Sequence, residues 1–290
     1  MLGALLALGS SALWGTADFL GGSLSRRLPI LTVMLASQLA ALVALAIAVP
    51  ASGGLLAPGR YLAFGVAYGL IGMVALAAFY RALATGTMGI VAPIAATGVV
   101  IPVLVGLADG DRPQAHQYVG MVLAVAGILL ASAADGAEDI EGQHERAAAD
   151  RRTALQSVLL AVAAALGFGT VLVLIERGSR TSVGMTLLAA RISSVLLLLL
   201  VALVVRRPLG LRPVDWRPLA AIGLLDIGAN GAFAIAGRHG ALSEVAVLGS
   251  LYPVMTVLLA RSVHHERLSR AQAAGVTTAL VGVVLIAAKT

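Results

Sequence analysis

Three ionisable residues lie inside long apolar runs of this 290-residue sequence: Asp18, Arg191 and Asp226. A charge inside a bilayer is costly unless it is paired or hydrated, so each residue needs an explanation. Asn230 follows Asp226 by four residues and shares its helix face. The pattern predicts a cluster of Arg191, Asp226 and Asn230 in a cavity, where a carboxylate that gains and loses an arginine neighbour could exchange a proton for a bound molecule. The alternative is a static pair between two helices.

Asp18 is expected closer to one mouth of such a cavity. Depths can be compared at a rise of about 1.5 Å per residue, measured from the membrane side that contains the loop after the first apolar run. Asp18 lies about 6 Å from that side, Asp226 about 12 Å and Arg191 about 21 Å. Trp14 precedes Asp18 by one helical turn and could stack on a planar or cationic substrate. Packing between helices is the alternative for Trp14, and a hydrated interfacial carboxylate is the alternative for Asp18.

Two uncharged residues are further candidates for hydrogen bonds to a substrate, Gln38 and Tyr252, although such side chains more often join helices. Four other residues interrupt the backbone hydrogen-bond ladder of two apolar runs, 88–108 and 242–262. Freed carbonyls are tolerated only beside protein or a wet cavity, so these four are expected at hinges or kinks along a pathway, a passive kink being the alternative. They are Pro93, Gly98, Pro102 and Pro253.

The composition gives the class of protein that must position these residues. Hydrophobic residues make up 59% of the chain and charged residues 12%, and the mean hydropathy is +0.97. Soluble domains are nearer half apolar and a quarter charged, so the sequence predicts an all-α polytopic membrane protein. The net charge of +6 comes from arginines between apolar runs, as in membrane loops. A nucleic-acid partner would need a contiguous basic face, and none is expected.

A bilayer core about 30 Å thick needs roughly 20 apolar residues per helix. Ten runs of this kind occur, which predicts ten transmembrane helices. A polar, acidic stretch at 135–152 divides them into two five-helix units, 1–134 and 153–290. The runs lie near 2–22, 30–49, 61–81, 88–108, 115–134, 154–175, 183–205, 218–237, 242–262 and 271–288.

The two units resemble each other. Trp14-Gly15-Thr16 recurs as Phe168-Gly169-Thr170, and the glycines at 120 and 127 recur at 275 and 282. Because five is an odd number, the second unit must enter the membrane from the opposite side. The sequence therefore predicts two inverted five-helix repeats, an architecture typical of secondary transporters with a substrate site between the repeats.

These features resemble the drug/metabolite transporter superfamily, specifically an EamA-type transporter with two EamA domains. The resemblance covers the whole chain. It rests on Leu13-Trp14-Gly15, on Leu251-Tyr252-Pro253, and on the pattern from His265-Glu266-Arg267-Leu268 through Gln272, Gly275 and Gly282. The first half departs from this pattern, with Gly98 aligned to Pro253 and Asp111 to Glu266. The resemblance implies carrier-mediated transport without ATP hydrolysis through a central cavity lined by both halves.

The predicted function is a secondary active transporter, an exporter on resemblance alone, that moves a small metabolite or drug-like molecule by alternating access with proton coupling. The alternatives are an uncoupled facilitator or exchanger of zwitterions such as amino acids, and a non-transporting membrane scaffold or sensor. No enzyme activity and no cofactor are expected, because no nucleophilic triad or nucleotide loop occurs. The cluster His264-His265-Glu266 is not expected to bind a metal, since adjacent residues point in different directions.

The expected partners are a small-molecule substrate, the lipid bilayer and a coupling ion, in a monomer or homodimer. Lys289 is the single lysine, which indicates a GC-rich, bacterial coding sequence and a bacterial plasma-membrane location. Two arguments about orientation conflict. Most arginines fall on the side of the loop between the first two spans, which predicts both termini outside the cell. The family resemblance implies both termini in the cytoplasm.

Overall fold

The computed structural model describes residues 2–55, 59–108, 114–133, 144–206, 215–239, 242–264 and 270–287, and all regular structure in these ranges is helical. The elements are α1 (Leu2–Ser25), α2 (Ile30–Ala51), α3 (Arg60–Thr85), α4 (Met88–Ala96), a 3-10 turn (Thr97–Val99), α5 (Val100–Ala108), α6 (Ala115–Ala133), α7 (His144–Ser179), α8 (Val183–Val205), α9 (Trp216–Ala236), α10 (Leu242–Gly249), α11 (Tyr252–His264) and α12 (Arg270–Ala287).

Within the described ranges, five stretches of helix are long and apolar enough to cross a bilayer: α2, α3, residues Arg152–Ser179 of α7, α8 and α9. Their outward faces carry large apolar side chains. Leu203 and Val204, for example, are 72% and 74% exposed, which suits contact with lipid rather than water. The predicted class of all-α membrane protein is thereby confirmed. The count of ten spans and the inverted repeat stay predictions.

Two of the predicted spans are each divided into two helices. The fourth becomes α4 and α5, separated by the 3-10 turn at Thr97–Val99, and the ninth becomes α10 and α11, separated by Ser250 and Leu251. Pro253 lies in the first turn of α11, where its missing N–H costs nothing, and this position helps to restart the helix. The two interruptions occupy equivalent places in the two halves.

Two helix boundaries differ from the sequence expectation in ways that bear on the predicted site and linker. Helix α1 continues to Ser25, three residues past the predicted end, and therefore places Asp18 about 10 Å from its end at 1.5 Å per residue. Helix α7 begins at His144 inside the predicted linker, because the Ala, Glu and Arg residues there are strong helix formers. Asp111, the segment 265–268 and linker residues 135–143 lie outside the described residues.

The two halves pack through contacts that come in reciprocal pairs. Helix α1 packs against α9 as α7 packs against α3, and α2 packs against α9 as α8 packs against α3. Glycines allow the closest approaches. A Cβ on Gly69 would overlap the carbonyl oxygen of Ala190, and a Cβ on Gly223 would overlap that of Ser37. The same backbone contact is thus made twice, once from each half.

The repeated Trp-Gly-Thr and Phe-Gly-Thr motifs explain two more reciprocal contacts. A Cβ on Gly15 would overlap the Tyr252 carbonyl oxygen, and a Cβ on Gly169 would overlap that of Gly98. Each motif glycine therefore lets its helix lie directly against the interrupted helix of the other half. These contacts pair Gly98 with Tyr252, one residue before the Pro253 that the sequence comparison aligned with it.

Aromatic contacts repeat in the same way. The rings of Trp14 and Phe233 lie 5.5 Å apart between centroids, and those of Phe168 and Phe79 lie 5.4 Å apart. Phe168 follows Trp14 by 154 positions, and Phe233 follows Phe79 by the same number. The pair is therefore the same contact seen from the two halves.

Candidate functional site

A cavity of about 740 Å³, counted to its open side, lies where the two halves meet. Most of its lining is apolar and a few polar side chains converge on it, as in pockets that bind small organic molecules. Its lining comes from α1, α2, α3, α7, α8 and α9 and from both interrupted helices. The lining residues are Trp14, Asp18, Gln38, Tyr68, Gly72, Met73, Leu76, Ala95, Ala96, Gly98, Val99, Phe168, Gly169, Val171, Leu172, Arg191, Asp226, Asn230, Gly249, Ser250 and Tyr252.

Arg191 is the centre of the polar wall of this cavity. Its Nη1 donates to Gln38 Oε1 at 2.5 Å, and its Nη2 donates to Asp226 Oδ2 at 2.6 Å and to Tyr68 Oη at 3.2 Å. The guanidinium also lies 5.8 Å from the centre of the Tyr68 ring, within reach of a cation–π contact. One arginine of the second half thus holds two residues of the first half and one of its own.

Three further hydrogen bonds complete the network. Tyr68 Oη donates to Asn230 Oδ1 at 2.8 Å, and Asn230 Nδ2 donates to Asp226 Oδ1 at 3.1 Å and to the Asp226 carbonyl oxygen at 2.6 Å. The spacing of four residues between Asp226 and Asn230 puts both on one face of α9, as the sequence predicts. Asp226 and Asn230 therefore orient each other and present both carboxylate oxygens to donors.

Burial decides which of these groups a ligand can reach. The Arg191 side chain is 2% exposed, whereas that of Asp226 is 25% exposed and so opens towards the cavity. Removing one partner of a buried ion pair leaves the other charge uncompensated, which costs about 3–5 kcal/mol. Arg191 Nε is buried and has no hydrogen-bond partner. One donor of the guanidinium is therefore left unsatisfied at the site.

Asp18 stands apart from this network. It lines the cavity, and no hydrogen bond or ion pair joins it to any of the described residues. Trp14 lies one turn away on the same face of α1, held against Phe233. The Tyr252 hydroxyl is buried without a hydrogen-bond partner at the same cavity. Polar groups without partners at a cavity are the places where a ligand would be bound.

The structure places the predicted pathway residues at the cavity, but only one of the predicted hinge residues. All seven predicted pathway residues line the cavity: Trp14, Asp18, Gln38, Arg191, Asp226, Asn230 and Tyr252. Of the predicted hinge residues, Gly98 lines the cavity and lies in the 3-10 turn. Pro93 lies inside α4, Pro102 in the first turn of α5 and Pro253 in the first turn of α11, and none of the three lines the cavity.

Sequence reasoning missed Tyr68 and Phe168. Tyr68 bonds to both Arg191 and Asn230, and its place within the third apolar run was the available signal. Phe168 is the counterpart of Trp14 in the repeated motif, and it also lines the cavity. The repeat itself therefore contained the information about Phe168. Within the described residues no group of three His, Cys, Asp or Glu side chains could hold a metal ion.

Comparisons with known proteins agree with this architecture. No curated protein matches the chain. Among 22 matching chains of solved structures is one described only as the crystal structure of a protein. It superposes with a TM-score of 0.67 at 20% sequence identity, over 98% of this chain and 96% of the other, and therefore shows a shared fold.

The model of the EamA-like transporter family matches two segments, residues 1–133 and 155–288. Each segment includes one interrupted helix and one copy of the repeated aromatic–Gly–Thr motif. Together they account for most of the chain, including every residue that lines the cavity. The chain belongs to the EamA-like transporter family, as a membrane protein with two matching segments.

Proposed function

We propose that the protein is a secondary active transporter that carries a small metabolite or drug-like molecule by alternating access. The observation that carries this proposal is the cavity between the two halves, which is lined by both interrupted helices. In transporters, discontinuous helices of this kind form the substrate site near the bilayer midplane. Membership of the EamA-like transporter family supports the same function.

An inverted repeat of two five-helix units is the architecture behind this proposal. The reciprocal glycine contacts at Gly69 and Gly223, and the matched aromatic pairs, are the contacts that a two-fold relation between the halves would produce. An odd number of spans per unit inverts the second unit. The cavity would then lie on the axis that relates the halves, where their relative rotation changes access most directly.

The polar wall supplies a contact that such a rotation could change. Arg191 of the second half bonds to Gln38 and Tyr68 of the first half, so rocking of the halves would alter the partners of its guanidinium. Asp226, a quarter exposed, could then pass between an arginine-paired and an unpaired state. We propose that this change couples movement of the substrate to movement of a proton, in the direction of export.

Transport can be tested in proteoliposomes even while the substrate is unidentified. Purified protein is first screened by thermal shift against amino acids, purines, sugars, polyamines and cationic dyes, since a ligand that binds the folded state raises the melting temperature. Compounds that raise it are then assayed for flux with and without a pH gradient. We expect gradient-driven flux that Asp226→Asn abolishes. Asp215→Asn, the same change at the start of α9 and outside the cavity lining, is the matched control.

An uncoupled zwitterion facilitator is favoured by one specific observation. Arg191 Nε is buried without a hydrogen-bond partner, and a movement of the halves that exposed it would let it donate to a substrate carboxylate while Asp18 receives an ammonium group. Equal flux with and without a pH gradient, combined with uptake of amino acids, would establish this function and contradict proton coupling. A folded protein that moves none of the compounds would contradict transport and favour a scaffold or sensor.

We further propose a bacterial plasma-membrane location, as a monomer or homodimer. The two arguments about orientation can be separated with single cysteines, because the chain contains none. Ser52→Cys and Thr153→Cys report on opposite sides. The arginine distribution predicts that an impermeant maleimide labels Ser52→Cys in intact cells and leaves Thr153→Cys unlabelled. The reverse result would contradict the arginine count and agree with the family resemblance.

A further inference from the structure

We propose that Asp18, Trp14 and Tyr252 form a subsite that binds the positively charged nitrogen of the substrate, and that the substrates are amphipathic organic monocations. This inference extends the proposed transport function and rests on it, because the bound cation is a substrate only if the protein transports it. Its starting point is the Asp18 carboxylate, which lines the cavity without a hydrogen-bond or ion-pair partner among the described residues.

The charge balance of the cavity leaves Asp18 uncompensated. Its described lining contains two carboxylates, Asp18 and Asp226, and one basic side chain, Arg191. Both terminal nitrogens of Arg191 are occupied by Gln38, Tyr68 and Asp226, and the short bond to Asp226 Oδ2 assigns the arginine to that carboxylate. A negative charge in apolar surroundings is stabilised when an opposite charge binds beside it. The cavity therefore favours a ligand with one positive charge.

The neighbours of Asp18 suit an ammonium group. Gly15 lies against the Tyr252 backbone and is one turn before Asp18, so this face of α1 meets the start of α11. Thr256 Oγ1 donates to the Gly15 carbonyl oxygen at 3.1 Å and holds the two helices together there. The Tyr252 hydroxyl oxygen, buried without a partner, can accept a hydrogen bond from an ammonium N–H while Asp18 accepts another.

Trp14 supplies the third side of the subsite. Its ring is held by Phe233 at 5.5 Å between centroids, and it is one turn from Asp18. The face of an indole ring attracts a cation within about 6 Å of its centre. The rest of the lining is mainly apolar, with Met73, Leu76 and Phe168 among its members, and would contact the body of the ligand.

Comparison with the second half shows that the negative charge of Asp18 has no counterpart at the equivalent position of α7. Leu172 occupies the place in α7 that Asp18 occupies in α1, as judged from the repeated motif, and it also lines the cavity. The cavity thus has one anionic wall at α1 and one apolar wall at α7. A ligand with a cationic head and an apolar body matches both walls in a single orientation.

Trp14 makes a direct binding assay possible. The chain has two tryptophans, and Trp216 lies exposed at the start of α9, so Trp216→Phe leaves Trp14 as the single reporter. In this background we would titrate 2-phenylethylamine, 2-phenylethanol and phenylacetate, which share an aromatic body and differ in head-group charge. We expect the amine to bind at least tenfold more tightly than the alcohol, and the carboxylate to bind most weakly.

Asp18→Asn in the same background is expected to reduce the amine preference to within about twofold, whereas the control Asp215→Asn retains it. Far-UV circular dichroism and thermal unfolding confirm that each variant is folded. The proposal is overturned if the amine binds no better than the alcohol, if Asp18→Asn keeps the preference, or if none of the compounds changes Trp14 fluorescence up to its solubility limit.

Failure of this proposal and failure of transport give different results. Binding in detergent requires no gradient and no movement across a membrane. A preference for the amine that depends on Asp18, without any flux in proteoliposomes, would contradict transport and retain the cation subsite. Flux of neutral or anionic compounds without a preference for the amine would retain transport and contradict the subsite.

Discussion

The two halves of this protein share their backbone contacts and differ in their polar side chains. Gly69 packs on Ala190 as Gly223 packs on Ser37. Yet the same correspondence places Gly72 opposite Asp226 and Leu76 opposite Asn230, and all four of these line the cavity. The repeated sequence therefore specifies how the helices pack, while the polar side chains Asp226 and Asn230 occur in the second half only.

The pairing of Gln38 with Arg191 illustrates the difference most clearly. They occupy the same position in α2 and α8, nine residues into each helix, and they are joined by a hydrogen bond of 2.5 Å. A pair of equivalent residues in contact is what an axis between the halves would produce. Because one is charged and the other neutral, the two halves present different side chains to the cavity at this position.

The largest effect is expected when Arg191 is replaced by glutamine, the neutral residue found at the equivalent position, Gln38, of the first half. Arg191→Gln alone leaves Asp226 without its arginine and is expected to cost about 3–5 kcal/mol of stability. Adding Asp226→Ala, a small uncharged residue like Gly72, removes the orphaned charge and should recover most of that loss. Unfolding of the detergent-solubilised variants measures both values. If the double variant loses as much stability as Arg191→Gln and Asp226→Ala lose when their separate losses are added, the two residues are not coupled.

A second comparison tests the shared backbone contacts. Gly69→Ala and Gly223→Ala should each cost about 1–3 kcal/mol, and by similar amounts, because each new Cβ meets a backbone carbonyl. A Cβ on Gly231 of α9 would have nothing within 4 Å, so Gly231→Ala is the control and should be neutral or stabilising by up to about 1 kcal/mol. Unequal losses at Gly69 and Gly223, measured by thermal unfolding, would argue against equivalent contacts.

The smallest effect concerns the matched aromatic pairs. Phe79→Leu and Phe233→Leu each remove one ring from a pair with a similar distance between centroids, 5.4 and 5.5 Å, and the aromatic part of each loss should be about 0.5–1.5 kcal/mol. Val204→Ala on the outward face of α8 serves as the control. If one phenylalanine is dispensable and the other is not, the two pairs do not stabilise the halves equally.

Much of this architecture could be predicted from the sequence. The polar residues at 38, 191, 226 and 230 stand out because a polar side chain in an apolar run must find a partner. The places of the helix interruptions were harder to predict. Pro93 and Pro102 flank the first interruption, but it lies at Thr97–Val99, where Gly98 permits contact with α7. Tertiary packing, not local propensity, selects that position.

The start of α7 and the role of Tyr68 show two other limits. Residues 144–152 are polar, and their polarity indicated a linker, but helix propensity continues α7 through them. Tyr68 was one of three tyrosines in its apolar run, and spacing alone does not reveal which one meets an arginine from the other half. Such contacts depend on how the halves dock, which a single sequence does not display.

Alternating exposure of the cavity is the central claim, and one introduced cysteine can test it directly. Ser250 lines the cavity at the interruption of the ninth predicted span and is 3% exposed, and the chain has no other cysteine. Ser250→Cys should react with an impermeant maleimide in both right-side-out and inside-out vesicles. The control Ser10→Cys, fully buried between α1 and α9, should react in neither. Reaction of Ser250→Cys from one side only, or from neither, would contradict the account.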